Sequence, residues 1–124
     1  KNIHKQSNSN NNIIIKISQV NSNGYFTFPY IKTNDGIKKG GNRIYNEILS
    51  VINSHDSIKK ISFIGCSLGG IYSRFVIKKL HENNILKNKN ITPMNYISLG
   101  TPHIGTDTIT KKQKMCCCST RYNI

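Results

Sequence analysis

One short stretch of this sequence has both the residue types and the spacing of a nucleophile site. Gly65-Cys66-Ser67-Leu68-Gly69-Gly70 sets a serine between two glycines in the order G-x-S-x-G. A serine hydroxyl can attack a carbonyl carbon when it projects from a sharp turn where a strand runs directly into a helix. Glycines at 65 and 69 would remove side chains that collide where such a turn folds back. The backbone N–H of Leu68, first in the following helix, can then face a developing oxyanion and add to the positive end of the helix dipole. Ser67 is therefore the expected nucleophile and Leu68 the expected backbone oxyanion donor. The plain alternative is a strand–helix turn in which Ser67 only caps the helix N-terminus. A phosphate-binding loop is excluded, because a Walker-type loop needs Lys and Ser/Thr after its last glycine. Here Gly70 is followed by Ile71-Tyr72, and no G-x-G-x-x-G pattern occurs at this turn.

Such a turn needs a strand before it and a helix after it. Ile61-Ser62-Phe63-Ile64 supplies the strand. Leu68, Ile71, Phe75 and Leu80, with Tyr72 and Val76 beside them, mark an amphipathic helix that ends at Asn83-Asn84. Upstream, Ile13-Ile14-Ile15-Lys16-Ile17 reads as a buried strand. Ile44, Ile48 and Ile52 recur every fourth residue, which predicts a helix over Asn42–Asn53. Tyr96-Ile97-Ser98-Leu99 is a further strand, closed by Gly100-Thr101-Pro102. Strands alternating with helices imply βαβ units and a parallel sheet. The expected class is α/β, with a parallel sheet of about three or four strands and flanking helices. So thin a sheet leaves an exposed apolar edge. Residues 1–12, rich in Asn and Ser, read as a disordered lead-in, and 13–109 as the folded domain. Residues 110–124 read as a basic, Cys-containing tail.

Composition narrows the partners. There are 18 basic and 5 acidic residues, a net charge of +13, which alone would suggest a polyanion. Yet 15 Lys, 17 Asn and 21 Ile stand against no Ala and no Trp. Lys, Asn and Ile have A/T-rich codons, so coding bias explains the lysines without a partner. No nucleic-acid partner is expected; weak contact with an anionic membrane surface is what the charge still allows. The longest apolar runs fall far short of the ~20 residues of a membrane-spanning helix. No cofactor and no metal is expected, and nothing sets an oligomeric state. The sequence opens Lys1-Asn2-Ile3 without an apolar stretch behind the basic start, which predicts no signal peptide. The missing initiator Met predicts that residues before Lys1 are absent or cleaved. Cys66 stands alone and Cys116, Cys117 and Cys118 are consecutive, a pattern that fits a reducing compartment, with cytoplasm as the default.

Three blocks together resemble the eukaryotic lipase-like serine esterases, which have the α/β-hydrolase fold. Gly65 to Arg74 is similar to that family's nucleophile turn and following helix. Thr33-Asn34-Asp35-Gly36-Ile37 and Gly41-Asn42-Arg43-Ile44 resemble the segment upstream of it. Ile97-Ser98-Leu99-Gly100-Thr101-Pro102-His103-Ile104-Gly105-Thr106 is similar to the family's strand and Pro-His-x-Gly turn. The blocks follow the family's order across residues 13–109. The resemblance implies hydrolysis of carboxylic esters, with a lipid or other ester as substrate. The family commonly has His before its nucleophile where Cys66 stands here, a position that packs beside the strand without doing chemistry. In this fold the acid and the histidine follow later strands, and no further strand pattern follows Leu99. The resemblance therefore implies the central slice of a hydrolase, inactive by itself. A non-catalytic remnant, or a basic module recruited to anionic membranes, are the competing readings.

The remaining candidates fit that picture. His4 lies in the lead-in, and His55 and His81 near helix ends, where they should face solvent. His103 follows the last strand at the same sheet edge as Ser67; the resemblance makes it part of a structural turn and not the base. Asp107 reads as a loop cap, and turn chemistry accounts for Asp35 in Asn34-Asp35-Gly36. Lys111-Lys112-Gln113-Lys114 followed by the cysteines has the form of a two-signal lipid anchor. An arbitrary tail from truncation or a shifted reading frame explains it more simply.

Overall fold

Apolar periodicity sets the elements, and a pair of glycines sets how closely they pack. The computed structural model describes residues 3–8, 11–22 and 35–105. In chain order these form β1 (Ile3–Asn8), β2 (Asn11–Lys16), α1 (Ile37–Ser54), β3 (Lys60–Cys66), α2 (Leu68–Glu82), α3 (Ile85–Asn88) and β4 (Thr92–Leu99). The class is α/β, with a parallel sheet and flanking helices.

β3 and β4 pair in parallel, with Phe63 opposite Tyr96, Ile64 opposite Ile97 and Cys66 opposite Leu99. They are joined through α2 and α3, the crossover a parallel pair requires. β4 starts earlier than its apolar core suggests, at Thr92, whose N–H donates to the Lys59 carbonyl at 2.8 Å. Pro93 has no N–H for the ladder, and the register slips beside it, between Ile61 and Phe63.

α1 also begins earlier than its isoleucine repeat predicts, at Ile37, and takes in Gly40 and Gly41. Both glycines are buried. A Cβ on Gly40 would stand 2.7 Å from the Tyr72 ring, and one on Gly41 would overlap the Phe75 ring. Residues that punctuate a chain by local propensity serve here as the seat for two aromatic side chains of α2. The core then closes around Tyr45, Ile52, Val76, Leu80 and Ile91, with Val76 and Leu80 fully buried. Ile44, Ile48, Phe63 and Phe75 pack against it. Polar groups fix the same helix pair: Lys79 Nζ donates to Asn42 Oδ1 at 2.5 Å and lies 4.4 Å from the Tyr45 ring centroid. Asn83 Nδ2 donates to Tyr45 Oη at 2.7 Å.

The isoleucine run expected as a buried strand of the main sheet does something else. β2 pairs antiparallel with β1, Ile15 opposite His4 and Ile13 opposite Gln6. Only two residues separate the strands in sequence, a spacing that fits antiparallel pairing. Ile13, Ile15 and Ile17 are exposed. The lead-in read as disordered thus carries β1 and the first residues of β2. Among the described residues the parallel sheet has two strands, because the run that would have added a third is in this separate ribbon. The ribbon is tied to α1 by Lys16 Nζ, 3.1 Å from Glu47 Oε1. Asp107 and residues 110–124 lie outside the described residues.

Candidate functional site

Ser67 occupies the junction between β3 and α2, with φ 51° and ψ −127°. A positive φ is unfavourable for a residue with a Cβ and persists only where its surroundings over-determine it. Here they do. The Ser67 N–H donates to the Leu99 carbonyl at 2.8 Å, carrying the β3–β4 ladder one residue past Cys66. The Ser67 carbonyl accepts from the Gly70 N–H and from Thr101 Oγ1, each at 3.0 Å. Ser67 is exposed, and its side chain makes no capping hydrogen bond to α2. The capping alternative therefore does not describe this serine. Leu68 opens α2, so its N–H is one of the donors that a helix leaves without an intrahelical acceptor.

The glycines divide differently from the motif. A Cβ on Gly65 would meet the Gly70 Cα at 2.5 Å and the Gly69 carbonyl oxygen at 2.7 Å, so this position must be bare. A Cβ on Gly69 would meet nothing within 4 Å. The expected collision at Gly69 is absent; the second necessary glycine is Gly70, where a Cβ would overlap the Thr101 side chain. Gly70 also offers its carbonyl to Tyr96 Oη at 2.9 Å.

His103 lies at this end of the sheet with both ring nitrogens engaged. Arg74 Nη1 is 3.2 Å from Nδ1, and Ser98 Oγ is 3.0 Å from Nε2. A guanidinium only donates, so Nδ1 accepts, and the neutral ring carries its proton on Nε2, facing Ser98. The ring also meets Tyr96 edge-on, with centroids 6.4 Å apart. His103 thus joins β4 to α2 across the turn. His81 is exposed in the last turn of α2, roughly 20 Å along the helix from its first residue at 1.5 Å per residue. His55 caps the C-terminus of α1, ahead of β3, so the length of β3 separates it from Ser67. It is half-buried rather than solvent-facing, with Nδ1 2.8 Å from Ser54 Oγ and 3.1 Å from the Val51 carbonyl. Cys66 is exposed on the face of the sheet away from α2, beside Leu99. Among the described residues no group of three His, Cys, Asp or Glu side chains could hold a metal ion.

Turn chemistry does not account for Asp35. Arg43 Nη1 and Nη2 reach its two carboxylate oxygens at 2.5 and 2.9 Å, and Arg43 Nε donates to Asn21 Oδ1 at 2.6 Å. The hydrogen bond from Arg43 holds the Asp35 carboxyl below the usual carboxylate range. The pair pins the start of α1, and Asn21 Nδ2 adds a bond to the Gly40 carbonyl at 3.1 Å. In the sequence Thr101, Gly70 and Arg74 are only letters of a pattern. Their contacts join residues far apart in sequence, which spacing does not reveal.

A family model described as "Putative serine esterase (DUF676)" matches residues 1–121. The chain is similar to "Putative lipase ROG1" of Saccharomyces cerevisiae (strain ATCC 204508 / S288c), with 36% identity over 77 residues, 62% of this chain and 11% of that protein. It is also similar to "Putative lipase YDL109C" of the same yeast, with 39% identity over 79 residues, 64% of this chain and 12% of that protein. The chain thus matches about a tenth of the length of these curated relatives. No solved structure matches it.

Proposed function

The chain belongs to the DUF676 serine esterase family, and from that premise we propose that it carries the nucleophile of a lipase-like hydrolase acting on carboxylic esters, lipid esters in particular. Ser67 Oγ attacks the ester carbonyl carbon, forming a C–O bond as a general base takes the hydroxyl proton. The carbonyl oxygen becomes an oxyanion and accepts from the Leu68 N–H. Collapse expels the alcohol, which takes the proton from the base, and water then releases the acid from the acyl-serine.

The observation that carries this reading is the backbone of Ser67. A serine held at positive φ between a parallel strand and a helix, exposed and not capping that helix, has the geometry the attack requires. The base and its acid lie outside the described residues in this reading. His103 has both nitrogens occupied, and His55 and His81 sit far from the turn.

The test is covalent labelling of the full-length protein with a fluorophosphonate probe, followed by mass spectrometry of the peptide containing Ser67. An adduct on Ser67 that vanishes in Ser67→Ala is expected. Labelling that is equal in the two proteins, or that falls on another serine, would remove the proposal.

A further inference from the structure

Resting on that reading of Ser67, we propose that Thr101 is a positioning residue that aims the Leu68 N–H at the oxyanion. The Ser67 carbonyl and the Leu68 N–H belong to the same planar trans peptide, so they point in opposite directions and turn together. Thr101 Oγ1 donates to that carbonyl at 3.0 Å, as the Gly70 N–H also does, so two donors set its direction and Thr101 supplies the one from outside α2. Fixing the oxygen on one side of the plane fixes the N–H on the other.

The rest of the turn is built to hold the hydroxyl there. Gly100, at φ 57°, bends the chain after β4, and the Thr101 side chain beyond it reaches the first turn of α2. Gly70 leaves the space: with a Cβ, it would overlap Thr101 Oγ1 and stand 2.7 Å from Cγ2. The His103 N–H donates to the Thr101 carbonyl at 2.9 Å, and the His103 ring bridges Arg74 and Ser98. The same segment takes the Ser67 N–H through Leu99 O. Ser67 is therefore gripped on both of its peptide units by residues 99–101. A donor on a carbonyl also polarises the peptide it belongs to, which strengthens the N–H on the other side.

The effect should appear where charge develops, and so in kcat and not in KM. The experiment measures turnover of a p-nitrophenyl ester by the full-length protein and its Thr101→Val, Thr101→Ser and Ser67→Ala variants, with circular dichroism and thermal melts alongside. Valine keeps the shape of threonine and loses the hydroxyl. Losing a whole oxyanion donor costs about 10²–10³ in kcat; misaiming one should cost about tenfold. We expect that loss in Thr101→Val with KM within about twofold and an unchanged spectrum, and recovery in Thr101→Ser. Unchanged kcat in Thr101→Val overturns the proposal, as does an equal loss in Thr101→Ser. If Thr101→Val does not fold, Thr101→Ala takes its place under the same criteria, since it too removes the hydroxyl. Turnover that is the same in wild type and Ser67→Ala overturns the nucleophile reading itself, and this proposal with it.

Discussion

Gly65 stands so close to Gly70 that a methyl group on Gly65 would lie 2.5 Å from the Gly70 Cα and 2.6 Å from its nitrogen. Both obstacles are backbone, so neither can swing aside. Gly65→Ala must push the last residues of β3 away from the first turn of α2. Overpacking of this kind costs about 1–3 kcal/mol. Gly70→Ala meets a side chain instead, that of Thr101, which can rotate at the expense of its bond to Ser67. Urea unfolding should place Gly65→Ala as the less stable of the two, with both below wild type. A Gly65→Ala variant as stable as wild type would mean that strand and helix are farther apart than described.

Gly69→Ala should behave in the opposite way, although Gly69 is the glycine that the motif names. A Cβ there meets nothing within 4 Å, and the residue lies in the first turn of α2 with no left-handed φ. Replacing a helical glycine by alanine reduces the freedom of the unfolded chain and gains about 0.5–1 kcal/mol. The same unfolding series should show Gly69→Ala at or above wild type. A loss comparable to that of Gly65→Ala would contradict the open space at this position.

What could be read from residues alone was what local periodicity and local order determine. The recurrence of Ile44, Ile48 and Ile52 marks α1, and an apolar strand running into Gly65-Cys66-Ser67 marks the turn before α2. What could not be read depends on partners distant in the chain. Gly40 and Gly41 look like loop residues until Tyr72 and Phe75 are seen against them. The Ile13–Ile17 run is apolar enough for a buried strand, but apolar character does not choose between β1 and β3 as its neighbour. Asp35 sits in a turn-forming tripeptide, and only the fold brings Arg43 to it.

The Asp35–Arg43 pair has a defined pH signature. The hydrogen bond from Arg43 holds the Asp35 carboxyl below the ordinary aspartate value of 3.8. A depressed carboxylate contributes stability that is fully present above the unfolded value, and it is lost as pH falls through the lower folded value. The stability difference between wild type and Asp35→Asn should therefore be constant from neutral pH down to about 5, shrink below 3.8, and vanish in stronger acid. Both side chains are partly exposed, so the difference at neutral pH should be modest, about 0.2–1 kcal/mol. A difference that grows on acidification would contradict the assignment.

Among the described residues the face of the parallel sheet away from α2 is apolar and exposed: Ile64 is 71% exposed, Leu99 54% and Ile97 46%. Ile64 and Ile97 are register partners and Leu99 follows two residues later, so the three form one patch. Contiguous exposed apolar surface on a sheet promotes self-association. Residues 1–124 expressed alone should scatter light at micromolar concentration, and Ile64→Thr should reduce the scattering. Threonine keeps the β-branched shape, so the circular dichroism spectrum should not change. Equal scattering by the two proteins would place the sticky surface elsewhere.

Catalysis by the same 124 residues provides the sharpest expectation. A serine hydroxyl is a poor nucleophile until a base within hydrogen-bond reach removes its proton. Three histidine side chains are described. His81 and His55 lie at the far ends of their helices from Ser67. His103 is at the correct end of the sheet, but its Nδ1 accepts from Arg74 and its Nε2 faces Ser98. Recruiting it as a base would break the bridge that ties β4 to α2. Nucleophile and base act as a unit, so losing the base alone removes most of the rate. Residues 1–124 should therefore hydrolyse short-chain p-nitrophenyl esters no faster than their own Ser67→Ala variant. A faster wild type whose advantage disappears in His103→Ala would make His103 the base, against the geometry described. A faster wild type indifferent to His4→Ala, His55→Ala, His81→Ala and His103→Ala would mean that no single histidine of these 124 residues is the base, and would point to a base supplied by a different chain.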